Sequence, residues 1–513
     1  MTLSAIITPQ QKVIYRAARL ALGIALGTCV FFCAGCTQNP APAGQANSSA
    51  APPSTSPATG IPSEKLSLPP GPKGAESTSA DLAEIPILGT RSKGTDWPSF
   101  LGPTGDSKSS ETGLRKNWQT RPPQILWERK LHNSYGMPAI SRGRCVIYDR
   151  IGNQATAICV ESETGRELWT YRHPSTYIDN FGYDNGPRCA PVIDGSRVYL
   201  FGAEGMLTCL KLANGEKLWE CDTAKKFNVV QNFFGVGSTP LVEGDLLLVH
   251  VGGSPPGSAI DDPQRLDLVK GADSAVVAFD KLTGQVKYQF SDELASYASP
   301  VTTTLGQRRW GLMFARGGLI GFEPATGKQD FHFPWRADDL FSVNASNPVV
   351  VGDLVLISEC YGPGTAVLRI KPGGYDVVWR DDPHPRKPKS LQTHWNTPIH
   401  HQGYVYGSSG RHTSAELRCV ELTTGKVQWS EAGLGRASLL YVEDHFVCLT
   451  ENGDVLLLAT NPQKFSCVAT WVPQNAATGQ LLLRYPAWAA PIISHGLLYV
   501  RGADRLICAD VTE

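Results

Sequence analysis

The chain predicts an all-β fold, an eight-bladed β-propeller of four-stranded antiparallel blades. Three observations carry this. A six-residue turn recurs five times, as TGRELW at 164–169, NGEKLW at 214–219, TGQVKY at 283–288, TGKQDF at 326–331 and TGKVQW at 424–429. A Pro-started strand unit with a Gly turn recurs as well, as PVIDGSRVYLFG, PLVEGDLLLVHVG, PVVVGDLVLIS, PIHHQGYVYGSSG and PIISHGLLYVRG, with two weaker copies beginning at Pro138 and Pro300. Between them lie short alternating strands without a long helical period, the pattern of an all-β array.

Before the first unit the composition changes twice. Lys12, Arg16 and Arg19 precede an apolar run over 20–34 that ends in the small residues of CAGC at 33–36. A basic region, a short apolar run and a small-residue site read as an export signal, because the run is shorter than the ~20 residues a bilayer-spanning helix needs. The site resembles a bacterial lipobox, in which Cys36 would be lipidated after cleavage. Thr37 follows where inner-membrane lipoproteins of that kind carry Asp, which favours the outer membrane. Residues 37–95 are rich in Ala, Pro, Ser, Gly and Thr, cannot bury enough apolar surface to offset ordering, and are expected to form a disordered tether. As a flexible coil of roughly 59 residues it would reach on the order of 40 Å.

The folded body is expected over 96–513. Within each unit the TG step carries the outer hairpin, since Gly accepts the left-handed conformation. The strand after it ends in a large ring: Trp169, Trp219, Tyr288, Phe331, Trp379, Trp429 and Trp471. On the strand before it Cys159, Cys209, Ala278, Gly321 and Cys419 share one slot. A slot taking Cys, Ala or Gly demands a small side chain, so these thiols read as packed core rather than bridges or ligands. Ring against small residue is a docking device between sheets, and burying each ring is worth roughly 3–5 kcal/mol.

These rings close seven units, and the seventh has lost both Pro and TG. An eighth starts near Trp488 and stops one strand short, at RLICADVTE. The orphan strand ILWERKL around Trp127 would supply that strand and close the ring, leaving no free sheet edge. Seven blades is the fallback if the degenerate unit is an insertion.

The repeat resembles the pyrroloquinoline-quinone-type propeller repeat of quinoprotein alcohol dehydrogenases and of the non-enzymatic propeller lipoprotein of the outer-membrane β-barrel assembly machinery. DWPSFLGPTGD at 96–106 is similar to the leading segment of many exported bacterial propellers of this kind. For the dehydrogenases, the resemblance implies pyrroloquinoline quinone beneath an adjacent cysteine pair and a calcium held by Glu and Asn beside a catalytic Asp. This chain has no adjacent cysteines, and Asp184 with Asn185 and Glu359 beside Cys360 are isolated candidates. No cofactor is therefore expected, with quinone and calcium as the alternative.

The 47 basic and 47 acidic residues cancel, so no global field favours nucleic acid. No GxSxG, HExxH or phosphate-cradling loop occurs in the body. The loops before the innermost strands should line the channel mouth, which makes Tyr135, Tyr183, Asn185, Arg188, Tyr297, Asn344, Trp395, Asn396, Arg436 and Trp488 the candidate rim. Aromatic and amide side chains there suit a peptide or a sugar; the bland alternative is that they plug the channel. His400 and His401 are expected in an exposed turn, the run RKPK at 386–389 in a solvated loop, and the insertion at 252–273 as a long loop whose Asp261, Asp262 and Asp267 lack calcium-loop spacing. The functional expectation is an exported, membrane-tethered, non-enzymatic scaffold for other envelope proteins. A quinone- and calcium-dependent dehydrogenase and a carbohydrate-binding module are the alternatives.

Overall fold

The computed structural model describes residues 85–513 apart from 261, 263 and 385; the export signal, Cys36 and the tether up to residue 84 lie outside them. The described chain folds as eight four-stranded antiparallel blades around a central channel. Blade 1 runs outward through Ala139–Ser141, Arg144–Ile151, Gln154–Glu161 and Glu167–Pro174. Blades 2 to 7 repeat the order, their innermost strands being Val192–Asp194, Leu241–Glu243, Val301–Leu305, Val349–Val351, Ile399–His401 and Ser438–Val442. Blade 8 takes three strands from the C-terminus, Ile492–Ser494, Leu497–Arg501 and Arg505–Asp510, and its outer strand from Gln124–Lys130. Trp127 stands opposite Cys508 in that pairing, so the ring closes as the sequence predicts.

The repeated hexapeptide has a packing cause beyond its turn. Each ring stands opposite its small residue on the neighbouring strand: Trp169 opposite Cys159, Trp219 opposite Cys209, Tyr288 opposite Ala278, Phe331 opposite Gly321, Trp429 opposite Cys419. Phe331, facing blade 5 with no TG turn, packs on Tyr375 at 5.2 Å. Where the next blade keeps its TG turn, the ring instead reaches across and lies on that blade's glycine. A Cβ on Gly215 would sit 2.5 Å from the Trp169 ring, one on Gly284 2.6 Å from Trp219, and one on Gly165 2.9 Å from Trp127. The indole N–H finishes the joint by donating to a carbonyl of that blade, Trp127 to Ser162 at 2.9 Å, Trp169 to Leu212 at 2.9 Å and Trp379 to Leu422 at 2.7 Å. Glycine is needed there twice, for φ near +75° and for room under the ring. In degenerate blade 7, Asn461 accepts the Trp429 indole at 2.8 Å without a TG turn.

The segment before the ring is also placed. Residues 85–95, assigned to the tether by composition, pack on blades 1 and 8: the Ile85 carbonyl accepts the Arg142 guanidinium at 2.7 Å, and Thr90 and Arg91 donate their N–H groups to Glu163. Trp97 then exchanges backbone hydrogen bonds with Ile140 of blade 1, Pro98 accepts Ile193 N–H of blade 2, and Lys108–Ser109 adds a parallel strand to blade 7. The leading segment thus lies across one end of the channel.

All ten described cysteines are free, with Cys159, Cys209 and Cys419 fully buried. His400 and His401 depart from expectation. They belong to the innermost strand of blade 6 and are half-buried, and burial lowers His400 to about 4. Lys389 of the RKPK run is also tucked in, its ammonium held by the carbonyls of Asp382 and His384.

Candidate functional site: an aromatic funnel in the channel

At the channel end opposite the leading segment, the loops before the innermost strands enclose a cavity of about 390 Å³. Phe100 and Leu101 of the leading segment also line it, so the funnel reaches down to that segment. Its wall is a connected belt of rings. Trp488 lies 4.7 Å from Trp395 and 5.1 Å from Tyr135 between centroids; Tyr183 bridges to Phe234 at 5.8 Å, Phe234 to Tyr297 at 5.6 Å, and Phe181 to Phe341 at 5.9 Å. These spacings fall in the range where aromatic pairs attract beyond their buried area.

Three arginines punctuate the belt, and each is already matched by a carboxylate. The Arg436 guanidinium sits between Trp395 and Trp488, 4.8 and 5.1 Å from their centroids, and pairs with Glu451. Burial alone would raise the Glu451 carboxyl, but the Arg436 and Trp488 donors outweigh it and hold it below the ordinary range. Arg188 pairs with buried Asp179, 5.7 Å above Tyr135, and Arg411 lies 4.1 Å over Tyr361 with Asp339 at 3.1 Å. His394 is neutral, lowered to about 3 by burial and by Arg436 and Arg411. With its charges compensated, the funnel offers flat apolar faces rather than a field. Trp395 Nε1, His394 Nδ1 and Asn396 Oδ1 are buried without a protein partner, one donor and one acceptor among them unambiguous.

Of the ten residues the sequence proposes, Tyr135, Tyr183, Arg188, Tyr297, Trp395, Asn396, Arg436 and Trp488 line the cavity. Asn185 and Asn344 do not. Asn185 Oδ1 accepts Asp179 N–H at 2.8 Å, and fully buried Asn344 donates to the carbonyls of Ala315 and Trp335 at 2.8 and 3.1 Å, so both amides hold loops in shape. Sequence reasoning missed Phe181, Phe234, Phe341, Tyr361, His394, Arg411 and the floor residues Phe100 and Leu101. The adjacent Phe233 and Phe234, apolar in a turn-rich loop, were the available signal. Asp184 stays outside the cavity lining, raised by burial, and Glu359 is buried behind Tyr361, accepting Ser342 Oγ at 2.9 Å and two backbone N–H groups.

A family model described as outer membrane protein assembly factor BamB matches residues 116–254 and 181–431, more than half of the chain. The chain belongs to this family. Among solved structures it is similar to BamB from Moraxella catarrhalis, with 15% identity over 76% of this chain and 97% of that one and a TM-score of 0.49. It is also similar to the quinohemoprotein alcohol dehydrogenase from Comamonas testosteroni, with 13% identity over 84% and 83% and a TM-score of 0.56. At such identity the likeness to the dehydrogenase shows the fold alone. No protein of curated function matches the chain in sequence.

The quinone and calcium implied by the dehydrogenase branch do not fit the funnel. Among the described residues no cysteine lines it, and the buried carboxylates Asp179 and Glu451 are committed to arginines. Among the described residues no three His, Cys, Asp or Glu side chains gather to hold a metal. Trp395 and Trp488 supply stacking faces only.

Proposed function

We propose that the protein is a non-enzymatic scaffold of the bacterial envelope, exported, held to the outer membrane through Cys36, and binding other envelope proteins through the funnel and its rim. The observation that carries this reading is the aromatic belt opening onto an apolar rim. Ile178, Tyr183, Leu268 and Tyr485 are 69%, 61%, 62% and 49% exposed, and all belong to the loops around the mouth. Tyr, Trp and Arg on a rigid scaffold are the residue types that dominate binding energy in protein interfaces. Family membership supports the same role. The matched segment would be extended and bear an apolar or aromatic side chain able to enter the funnel, since the compensated arginines give little preference for charge.

The test is retention of detergent-extracted envelope proteins by the immobilised full chain. Trp395→Ala with Trp488→Ala should abolish it while far-ultraviolet circular dichroism is unchanged. Equal retention by the variant would refute the funnel as the binding site. Signal from a glycan array in place of protein retention would favour the carbohydrate reading, which rests on the same stacking faces. A saturable rise in melting temperature with pyrroloquinoline quinone and calcium, together with dye reduction by alcohols, would favour the dehydrogenase.

A further inference from the structure

A second cavity of about 300 Å³ lies under the loops of blades 2, 3 and 4, at the lower end of the size range of small-molecule sites. Among the described residues two charged side chains line it, Arg316 from blade 4 and Glu204 from blade 2, and His250 lines it as well. Arg316 is 4% exposed and its guanidinium lies 5.3 Å from the Phe233 ring centroid, yet its Nε and Nη1 have no hydrogen-bond partner in the protein, and Nη2 reaches only the Leu340 carbonyl at 3.4 Å. Arg501 and Arg150, also buried, use more of their donors: Arg501 donates to the Ser134 and Gly136 carbonyls at 2.5 and 2.6 Å, and Arg150 to Gly152, Tyr177 and Asn185, while Arg115 and Arg144 each leave only Nε buried without a partner. Nor are nearby carboxylates free to serve Arg316. Glu293 holds Gly317 N–H and His332, and Asp267 is bidentate with Arg265.

A buried guanidinium with most of its donors unused is a costly arrangement unless an anion completes it. Burial, then repulsion from Arg336, lowers Arg316 to about 10, so it stays charged at neutral pH. His250 is neutral, lowered to about 4 by burial, and contributes no charge. Across the cavity Glu204 Oε2 accepts Ser175 Oγ at 3.0 Å, while buried Oε1 has no hydrogen bond and lies 3.7 Å from His173 Nε2. The cavity wall mixes polar side chains such as Gln231, Asn232 and Ser296 with the apolar Val251, Leu266 and Val269. The last two come from the insertion at 252–273, which none of the eight blades requires.

We propose that this cavity binds a small molecule bearing both a carboxylate and an ammonium group, of the amino-acid class, its carboxylate on Arg316 and its ammonium on Glu204, with Leu266 and Val269 as part of its wall. The inference is independent of the rim, because neither charged group lines the funnel.

The test is isothermal titration of the full chain with glycine, alanine, valine and leucine, and with acetate, isobutyrate, methylamine and inorganic phosphate as comparators. At least one amino acid should bind saturably, and more tightly than the carboxylate or amine alone. Arg316→Gln should weaken it about tenfold to a hundredfold, as expected for a lost charge-assisted hydrogen bond. Glu204→Gln should erase the preference for the amino acid over its matching carboxylate. Arg316→Lys, which keeps the charge without the fork, serves if Arg316→Gln does not fold and should also weaken binding. Saturable binding unchanged by these variants, phosphate binding as tight as any amino acid, or no binding across the panel would overturn the proposal. Trp488→Ala should leave it intact.

Discussion

Replacing Gly215 by Ala isolates the joint that holds one blade to the next. The new Cβ would meet Trp169 Cε3 at 2.5 Å and Cδ2 at 2.8 Å, at a backbone φ of +75°. The left-handed conformation costs a non-glycine residue about 1–2 kcal/mol, and overpacking adds about 1–3 kcal/mol. The expected loss is therefore about 2–5 kcal/mol. Gly373 provides the control. It has the same φ of +75° in the outer hairpin of blade 5, but a Cβ there meets nothing within 4 Å. Gly373→Ala should show the backbone cost alone, about 1–2 kcal/mol. Urea unfolding followed by tryptophan fluorescence measures both, and Gly215→Ala should cost less when Trp169 is also Ala, because the clash is gone. Equal losses at Gly215 and Gly373, or strict additivity with Trp169→Ala, would refute the ring-on-glycine account of the repeat.

Three further outcomes follow from the same structure. Trp127→Ala should cost about 3–5 kcal/mol and make the amides of Arg505–Asp510 exchange faster with deuterium than those of blade 4, since the closing strand loses its anchor on Ser162. Arg436→Ala should cost about 3–5 kcal/mol by leaving Glu451 buried and unpaired, and adding Glu451→Gln should restore part of it in thermal denaturation. Glu359, raised to about 7 by burial against partial relief from Ser342 and two N–H groups, binds its proton more tightly folded than unfolded. Its contribution is then fully present below the unfolded value near 4.5 and lost as pH rises through about 7, by about 3 kcal/mol at most. Glu359→Gln should accordingly flatten the fall in stability between pH 5 and pH 8 (roughly the titration window), which pH-series unfolding measures.

The repeat was legible because a glycine turn followed by a ring, with a small residue opposite that ring, is local and recurs at fixed offsets; that the ring lies on the next blade's glycine is a contact between blades that no local pattern states. Closure was legible from an orphan Trp127 strand and a last blade lacking one strand. The funnel was legible where a rim residue stands at a constant distance before the Pro, as Tyr135, Arg188, Tyr297, Trp395 and Trp488 do. It was not where loops differ in length: Phe234, Phe341 and Arg411 share no offset. Asn185 and Asn344 look like rim residues in sequence but turn back to bond their own loops, a choice that spacing does not encode. The floor depended on contacts between Trp97 and Ile140 and between Lys108 and Tyr441, the latter more than three hundred residues apart. The charges of Arg316 and Glu204 belong to different blades, and only the folded ring brings them to one cavity.

Binding through the funnel is tested most directly by a photo-crosslinking amino acid placed at Tyr183 in the full chain in growing cells, with exposed Leu282 on the outer hairpin of blade 3 as the comparison position. The account predicts a discrete crosslinked envelope protein from Tyr183, absent from Leu282 and lost when Trp395 and Trp488 are Ala. The same adduct from both positions, or an adduct that survives loss of both tryptophans, would contradict it.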